Sequence, residues 1–110
     1  MKQGDIWDIN FNPTQGSEQR GIRPGVIISG NAMNDHFGLV IVCPLTTRIK
    51  DYMGNLILLP DDQNGLKAKS EVLVFQVRTI SKERIKTKLG TITTDQLKSI
   101  HTGLNDILTY

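Results

Sequence analysis

Between Gly4 and Phe11 the residues Trp7, Ile9 and Phe11 alternate with Ile6, Asp8 and Asn10, a period of two that predicts a β-strand with one face on a core. The next ten residues, Asn12 to Gly21, are polar, contain glycine and show no period, which predicts a surface loop. That loop is long for a hairpin, and long loops in small domains often carry function. Pro24 fixes its own φ and biases Arg23 toward an extended backbone, so Arg23 is expected where the loop meets a buried strand, Val26 to Ser29. Gly30 to His36 is turn-rich with room for one helical turn, and the apolar run Leu39 to Cys43 has the composition of a central strand. Pro44 lacks an N–H for a ladder, so it is expected to end that strand or to sit at a bulge or edge, with Thr46, Thr47 and Arg48 at the sheet margin.

Further strands are predicted over Asn55 to Leu59, Glu71 to Val77 and, shorter, Lys88 to Ile92, separated by Pro60 to Gly65 and by Ser81 to Arg84. The period then changes. Leu97, Ile100, Leu104, Ile107 and Leu108 fall at helical spacing, and Thr93-x-x-Gln96 has the form of a capping box with Asp95 in the first turn. Short strands followed by one amphipathic helix predict a mainly β fold, a small curled antiparallel sheet or partly open barrel with a C-terminal α-helix.

A length of 110 residues fits one domain, residues 1–110, and 38% apolar with 22% charged residues is a globular composition. The longest apolar runs are too short to cross a bilayer as a helix, and the N-terminus has no secretory pattern, so no membrane and a cytoplasmic location are expected. Cys43 is the sole cysteine, which excludes an intrachain disulfide and a cysteine-rich metal site, and its apolar flanks predict a buried thiol. A net charge of +2 is permissive for nucleic acid. Its distribution is more informative: Arg78, Lys82, Arg84, Lys86 and Lys88 fall within eleven residues, opposed there only by Glu83. Such a run is either a solvated face or a phosphate-tracking surface.

Several chemistries lack their residues. His36 and His101 belong to different elements and no carboxylate spacing completes a ligand set, so no metal or other cofactor is expected. No serine stands in a nucleophile elbow, and Gly16 and Gly21 precede a strand rather than a helix, which removes acyl transfer and nucleotide loops. What remains is a set of polar groups at strand edges: Glu18, Gln19, Arg20 and Arg23; Thr46, Thr47 and Arg48; Gln76 and Arg78. That set suits phosphodiester chemistry as well as a structural role. RNA can be cut without a metal when its own 2′-hydroxyl is the nucleophile, because the enzyme need only align it, stabilise the phosphorane charge and manage two proton transfers.

The order Gly4-Asp5-Ile6-Trp7, Asn12-Pro13, Gly16-Ser17-Glu18-Gln19, Arg23-Pro24 and Val26-Ile27-Ile28-Ser29 resembles the N-terminal signature of the MazF/PemK toxin endoribonucleases. Val42-Cys43-Pro44-Leu45-Thr46-Thr47 resembles the second motif of that family and Phe75-Gln76-Val77-Arg78-Thr79-Ile80 the third. The resemblance implies an SH3-like barrel of the kind shared with CcdB, acting as a homodimer. It also implies sequence-specific, ribosome-independent cleavage of single-stranded RNA to 2′,3′-cyclic phosphate and 5′-hydroxyl ends. The catalytic residues it implies are Arg23, as charge stabiliser and proton donor, Thr46, hydrogen-bonded to a nonbridging oxygen, and Glu18 as base. RNA contacts are expected from Gln19, Arg20, Asn34, Thr47, Arg48, Gln76, Arg78, Lys82 and Arg84. A Kid/PemK branch credited with an Asp and a His in proton transfer is not matched, since Thr79-Ile80 follow Arg78 and the first loop has no histidine. The implied partner is a small, acidic MazE-like antitoxin that occupies the RNA groove and gives a DNA-binding complex. The alternative is a non-catalytic toxin of the same fold that binds a protein such as DNA gyrase.

Overall fold

The computed structural model describes residues 1–11 and 21–110. Among them the chain forms β1 (Asp5–Asn10), β2 (Ile22–Ile27), the short helix α1 (Asn31–His36), β3 (Leu39–Thr46), β4 (Leu56–Leu58) and β5 (Ser70–Val72). A 3-10 turn (Val74–Gln76), β6 (Arg78–Ser81), a second 3-10 turn (Lys82–Arg84), β7 (Ile85–Thr91) and α2 (Thr94–Thr109) follow.

The strands pair antiparallel in the order β4-β5-β3-β2-β1-β7, with β6 also on β3. In the path β6-β3-β2-β1-β7 the two end strands are joined by only Lys82–Arg84. Three residues cannot span an open sheet, so the sheet must curl back on itself. The result is a half-barrel with a C-terminal helix, mainly β as expected.

Curling gives the long strands two apolar faces. Ile9, Phe11, Ile27, Val40, Val42, Ile80 and Ile85 form one buried cluster, with Trp7 packed against it. Ile6, Val26, Ile28, Cys43, Leu45, Val72 and Ile100 belong to the other. The expected single core face of β1 is thus corrected: Ile6 is as buried as Ile9, on the opposite side. From Val40 to Cys43, β3 alternates between the clusters, which is why its sequence reads there as a continuous apolar run.

Pro44 neither ends β3 nor lies on an edge; the strand continues to Thr46 with Gly25 as the partner of Pro44. The carbonyl of Pro44 accepts from the Leu73 N–H at 2.8 Å, so its nitrogen also faces that side, away from β2. There β3 leaves β6, whose last partner is Val42, and takes up β5 at Leu45. The missing N–H falls in the gap between two partner strands, where no ladder bond is lost.

Several boundaries also differ: β4 is shorter than expected, at Leu56–Leu58, and β7 starts earlier, at Ile85–Thr91. β2 begins at Ile22 and includes Arg23 and Pro24. The expected strand from Glu71 to Val77 is instead β5 followed by a 3-10 turn, and β6 occupies Arg78–Ser81. α2 opens on the expected box: the Thr93 hydroxyl accepts from the Gln96 N–H at 3.1 Å and the Gln96 side chain accepts from the Thr93 N–H at 2.9 Å. Ile100 is fully buried, whereas Ile107 and Leu108 are exposed, so the apolar stripe outruns the surface it covers. Gly103 lets the helix touch the turn at Gly54, since a Cβ there would lie 2.1 Å from the Gly54 carbonyl oxygen.

Candidate active site

β2 and β3 pair with Gly25 opposite Pro44 and Val26 opposite Cys43. The ladder ends at Gly25 and Pro44, and Arg23 and Thr46 each stand two residues beyond that pair, at an even spacing that keeps each on the face of its pair member. Ladder partners project to the same face. Both line a groove of about 630 Å³, together with Arg48, Lys50, Tyr52, Leu73, Phe75 and Gln76.

Each of the two is fixed by local chemistry. The Arg23 guanidinium carbon stands 5.4 Å from the centre of the Phe11 ring, with that of Arg78 at 5.7 Å from the same ring. A cation over an aromatic face is attracted by the ring quadrupole. Phe11 can lie there because Gly25 leaves the space: a Cβ at Gly25 would come 3.0 Å from its Cζ and 2.7 Å from Ile9 Cδ1. The Thr46 hydroxyl accepts from the Arg48 N–H at 3.1 Å. With its oxygen engaged as acceptor, its own proton is available to donate toward an anion in the groove.

The groove is therefore cationic and aromatic. Arg23, Arg48 and Lys50 are exposed, and no carboxylate is among the described residues that line it. The Tyr52 and Phe75 rings meet edge to face at 5.7 Å and 71°, 51% and 46% exposed. Guanidinium and ammonium groups hold phosphates, and exposed rings beside them offer surfaces on which bases stack.

One wall hangs on a buried acid. Glu71 has no exposed surface, and its carboxylate accepts from the N–H groups of Lys50 at 2.8 Å, Asp51 at 3.2 Å and Tyr52 at 2.9 Å, and from the Asn55 side-chain amide at 3.0 Å. Burial pushes this carboxyl toward its neutral form, but the hydrogen bonds from Asn55, Lys50, Tyr52 and Asp51 together outweigh burial and hold its pKa below the ordinary 4.5. Cys43 shows the opposite balance. Its thiol is buried as expected, and burial raises its pKa to about 12, so it is an inert core group.

A family model described as "PemK-like, MazF-like toxin of type II toxin-antitoxin system" matches residues 2–108. An endoribonuclease MazF of Staphylococcus saprophyticus is 34% identical over 106 residues, which cover 96% of this chain and 88% of that protein. The chain belongs to the PemK-like, MazF-like toxin family. A crystal structure of MazF from Deinococcus radiodurans superposes with a TM-score of 0.77 at 30% identity, covering 99% of this chain and 96% of that one. A chain of a MazE–MazF crystal structure from the same organism gives 0.73 at 26%, covering 98% of this chain and 93% of that one. The curled half-barrel with its terminal helix is the MazF architecture.

Within this MazF-like toxin the expected site residues other than Asn34 separate into three sets. Arg23, Thr46, Arg48 and Gln76 converge in the groove. Arg78, Lys82, Arg84 and Thr47 are not among its lining residues: Arg78 joins Arg23 at Phe11, the Lys82 ammonium donates to the Asn34 carbonyl, Arg84 reaches the Asn10 carbonyl at 3.5 Å, and Thr47 lines a separate hollow. Glu18, Gln19 and Arg20 lie outside the described residues.

Asn34 is a correction. It is 2% exposed, its side-chain amide donates to the Ser29 carbonyl at 2.9 Å and its side-chain oxygen accepts from the Ser29 hydroxyl at 2.5 Å, so it closes α1 instead of facing a base. Lys50, Tyr52 and Glu71 went unnoticed in the sequence. The available signal was one acid inside the apolar stretch Ser70 to Val74, which asks for donors.

Proposed function

We propose that this MazF-like toxin is a metal-independent endoribonuclease that cuts single-stranded RNA at short specific sequences, with the groove at Arg23 and Thr46 as its active site. In this reading the ribose 2′-oxygen attacks the adjacent phosphorus and gives up its proton to a base, the bond from phosphorus to the 5′-oxygen breaks, and that oxygen leaves with a proton. The products are a 2′,3′-cyclic phosphate and a 5′-hydroxyl. Arg23 stabilises the charge that grows on the phosphoryl oxygens and delivers the proton to the leaving oxygen, while Thr46 donates to a nonbridging oxygen. Glu18 is the proposed base. Arg48 and Lys50 hold flanking phosphates, and Tyr52 and Phe75 stack bases.

The observation that carries this reading is the meeting of Arg23 and Thr46, 23 residues apart in sequence, in one cationic groove with an aromatic pair. Incubation of the purified protein with a long RNA in EDTA tests it. Fragments with cyclic phosphate and 5′-hydroxyl ends are expected, and intact RNA at every protein concentration would overturn it.

Resemblance supports the setting. The chain acts as a single domain and a homodimer, for which sedimentation should give about twice the 12.3 kDa chain mass. A MazE-like antitoxin is the proposed partner, in line with the MazE–MazF structure from Deinococcus radiodurans, and the groove is its proposed binding surface. The cytoplasm is the proposed location; among the described residues no helix is long and apolar enough to cross a membrane.

A further inference from the structure

A carboxylate with no exposed surface and no ion-pair partner among the described residues needs donors, and Glu71 has four. Three of them are consecutive backbone N–H groups, Lys50 to Tyr52, which can converge on one anion only when the chain bends into a concave turn. The bend is visible in Asp51, the one non-glycine residue with positive φ among those described, at 54°. That conformation is costly for an L-residue and persists where surrounding contacts hold it.

Through Asn55 the same carboxylate is also linked to a second groove segment. Asn55 donates to Glu71 and its oxygen accepts from the Val74 N–H at 3.0 Å, at the start of the 3-10 turn that carries Phe75 and Gln76. Glu71 is also the ladder partner of Thr46. Loop 50–52 is thus held on the Glu71 carboxylate itself, the turn 74–76 is tied to it through Asn55, and Thr46 faces Glu71 across the β3–β5 ladder. Lys50 and Tyr52 from the loop, and Phe75 and Gln76 from the turn, are groove residues.

We propose that Glu71 is a positioning residue for the RNA groove: its buried carboxylate folds the chain at Lys50, Asp51 and Tyr52 so that the Lys50 and Tyr52 side chains are presented beside Arg23 and Thr46. The inference rests on the reading of the groove as an RNA site. Glu71 touches no substrate. Its effect runs through binding side chains, so its loss weakens substrate binding while the arginine and threonine that act on the phosphate keep their strand positions.

The test combines two readouts on the full-length protein. Glu71→Gln keeps the shape but replaces one acceptor oxygen with an amide that faces donors. In amide hydrogen exchange, Lys50, Asp51 and Tyr52 should lose at least about tenfold of their protection in the variant while the β3 amides keep theirs. In cleavage of a short RNA, KM should rise about tenfold with kcat within about twofold, and a Lys50→Ala/Tyr52→Ala variant should show the same rise. Adding Glu71→Gln to that variant should then change KM little, since the side chains it positions are gone.

Unchanged exchange at the three amides overturns the anchor, whatever happens to RNA. Altered exchange with an unchanged KM, or KM effects that simply multiply, overturns the positioning role. If Glu71→Gln does not fold, Asp51→Pro serves, because proline cannot adopt the positive φ or donate to Glu71, and it must reproduce the KM rise. Wild-type protein that leaves RNA intact would overturn the proposed function and this role with it, while the exchange result would still report the anchor, so the two failures are distinguishable.

Discussion

Two basic regions of this molecule look alike in composition and differ in construction. The stretch from Arg78 to Lys88 holds five cations within eleven residues, the densest positive run in the sequence. The groove draws its three from separate places, Arg23 on β2 and Arg48 and Lys50 beyond the end of β3. In the contiguous run, Lys82 is held on the Asn34 carbonyl, Lys86 lies 3.5 Å from the Glu83 carbonyl, and Lys88 stands 3.6 Å from Asp5. In the groove, Thr46 and two exposed rings share the space with the cations. Charge density along a chain therefore says little about where an anion will be held. Convergence of cations with a hydroxyl and stacking surfaces says more.

The largest effect expected from breaking this contrast is at Arg23. Arg23→Ala removes the guanidinium over Phe11 and should lower kcat about 10²- to 10³-fold, the scale seen when one donor to a transition-state anion is lost. The fold should survive, because Arg23 is exposed and its backbone pairing with Ile9 is kept. Single-turnover cleavage alongside thermal melting checks both halves. A variant with unchanged kcat would remove Arg23 from the chemistry.

Much of this was legible beforehand, and the misses have physical causes. The capping box at Thr93 and Gln96 and the helix behind it could be read because both signals are local. The half-barrel could be anticipated from short alternating segments. Pro44 misled because its tolerance depends on which neighbour its nitrogen faces, which only the exchange of β6 for β5 along β3 reveals. Asn34 misled because a turn-rich polar segment has the same composition whether its amide faces solvent or closes a helix. Arg23 and Thr46 could be named from motif resemblance; their neighbours Lys50 and Tyr52 lie in a segment with no pattern of its own, whose backbone is bonded to the distant Glu71.

A smaller effect separates the two basic regions directly. Each phosphate neutralised on a single strand contributes about 0.7 to the slope of log affinity against log salt. Arg48→Ala/Lys50→Ala should therefore reduce the slope for an uncleavable RNA analogue by about 1.4 and weaken binding about tenfold at moderate salt. Lys86→Ala/Lys88→Ala, an equal loss of charge in the contiguous run, should leave the slope almost unchanged. Titrations at several salt concentrations decide it. Equal slopes for the two double variants would show that only net charge matters and erase the distinction.

The smallest effect is confined to acid, and it probes how each region is anchored. The groove wall rests on an ionised carboxylate, whereas the Asn34 carbonyl that holds Lys82 belongs to a residue fixed by neutral hydrogen bonds with Ser29. The folded-state pKa of Glu71 lies below its ordinary 4.5, so the unfolded chain binds its proton more readily. Its stabilisation is then fully present above about pH 4.5 and is lost as pH falls through the lower folded value. Glu71→Gln has no such group, so the stability difference between wild type and variant should shrink over that acid window and stay constant above it. Within the wild type, protection of the Lys50, Asp51 and Tyr52 amides should fall before that of the Ile41 amide, which donates to the neutral Ser29 hydroxyl at 3.0 Å. A difference that grows on acidification would reverse the sign and mean that Glu71 folds in its protonated form, in which case four converging donors could not be what holds the wall.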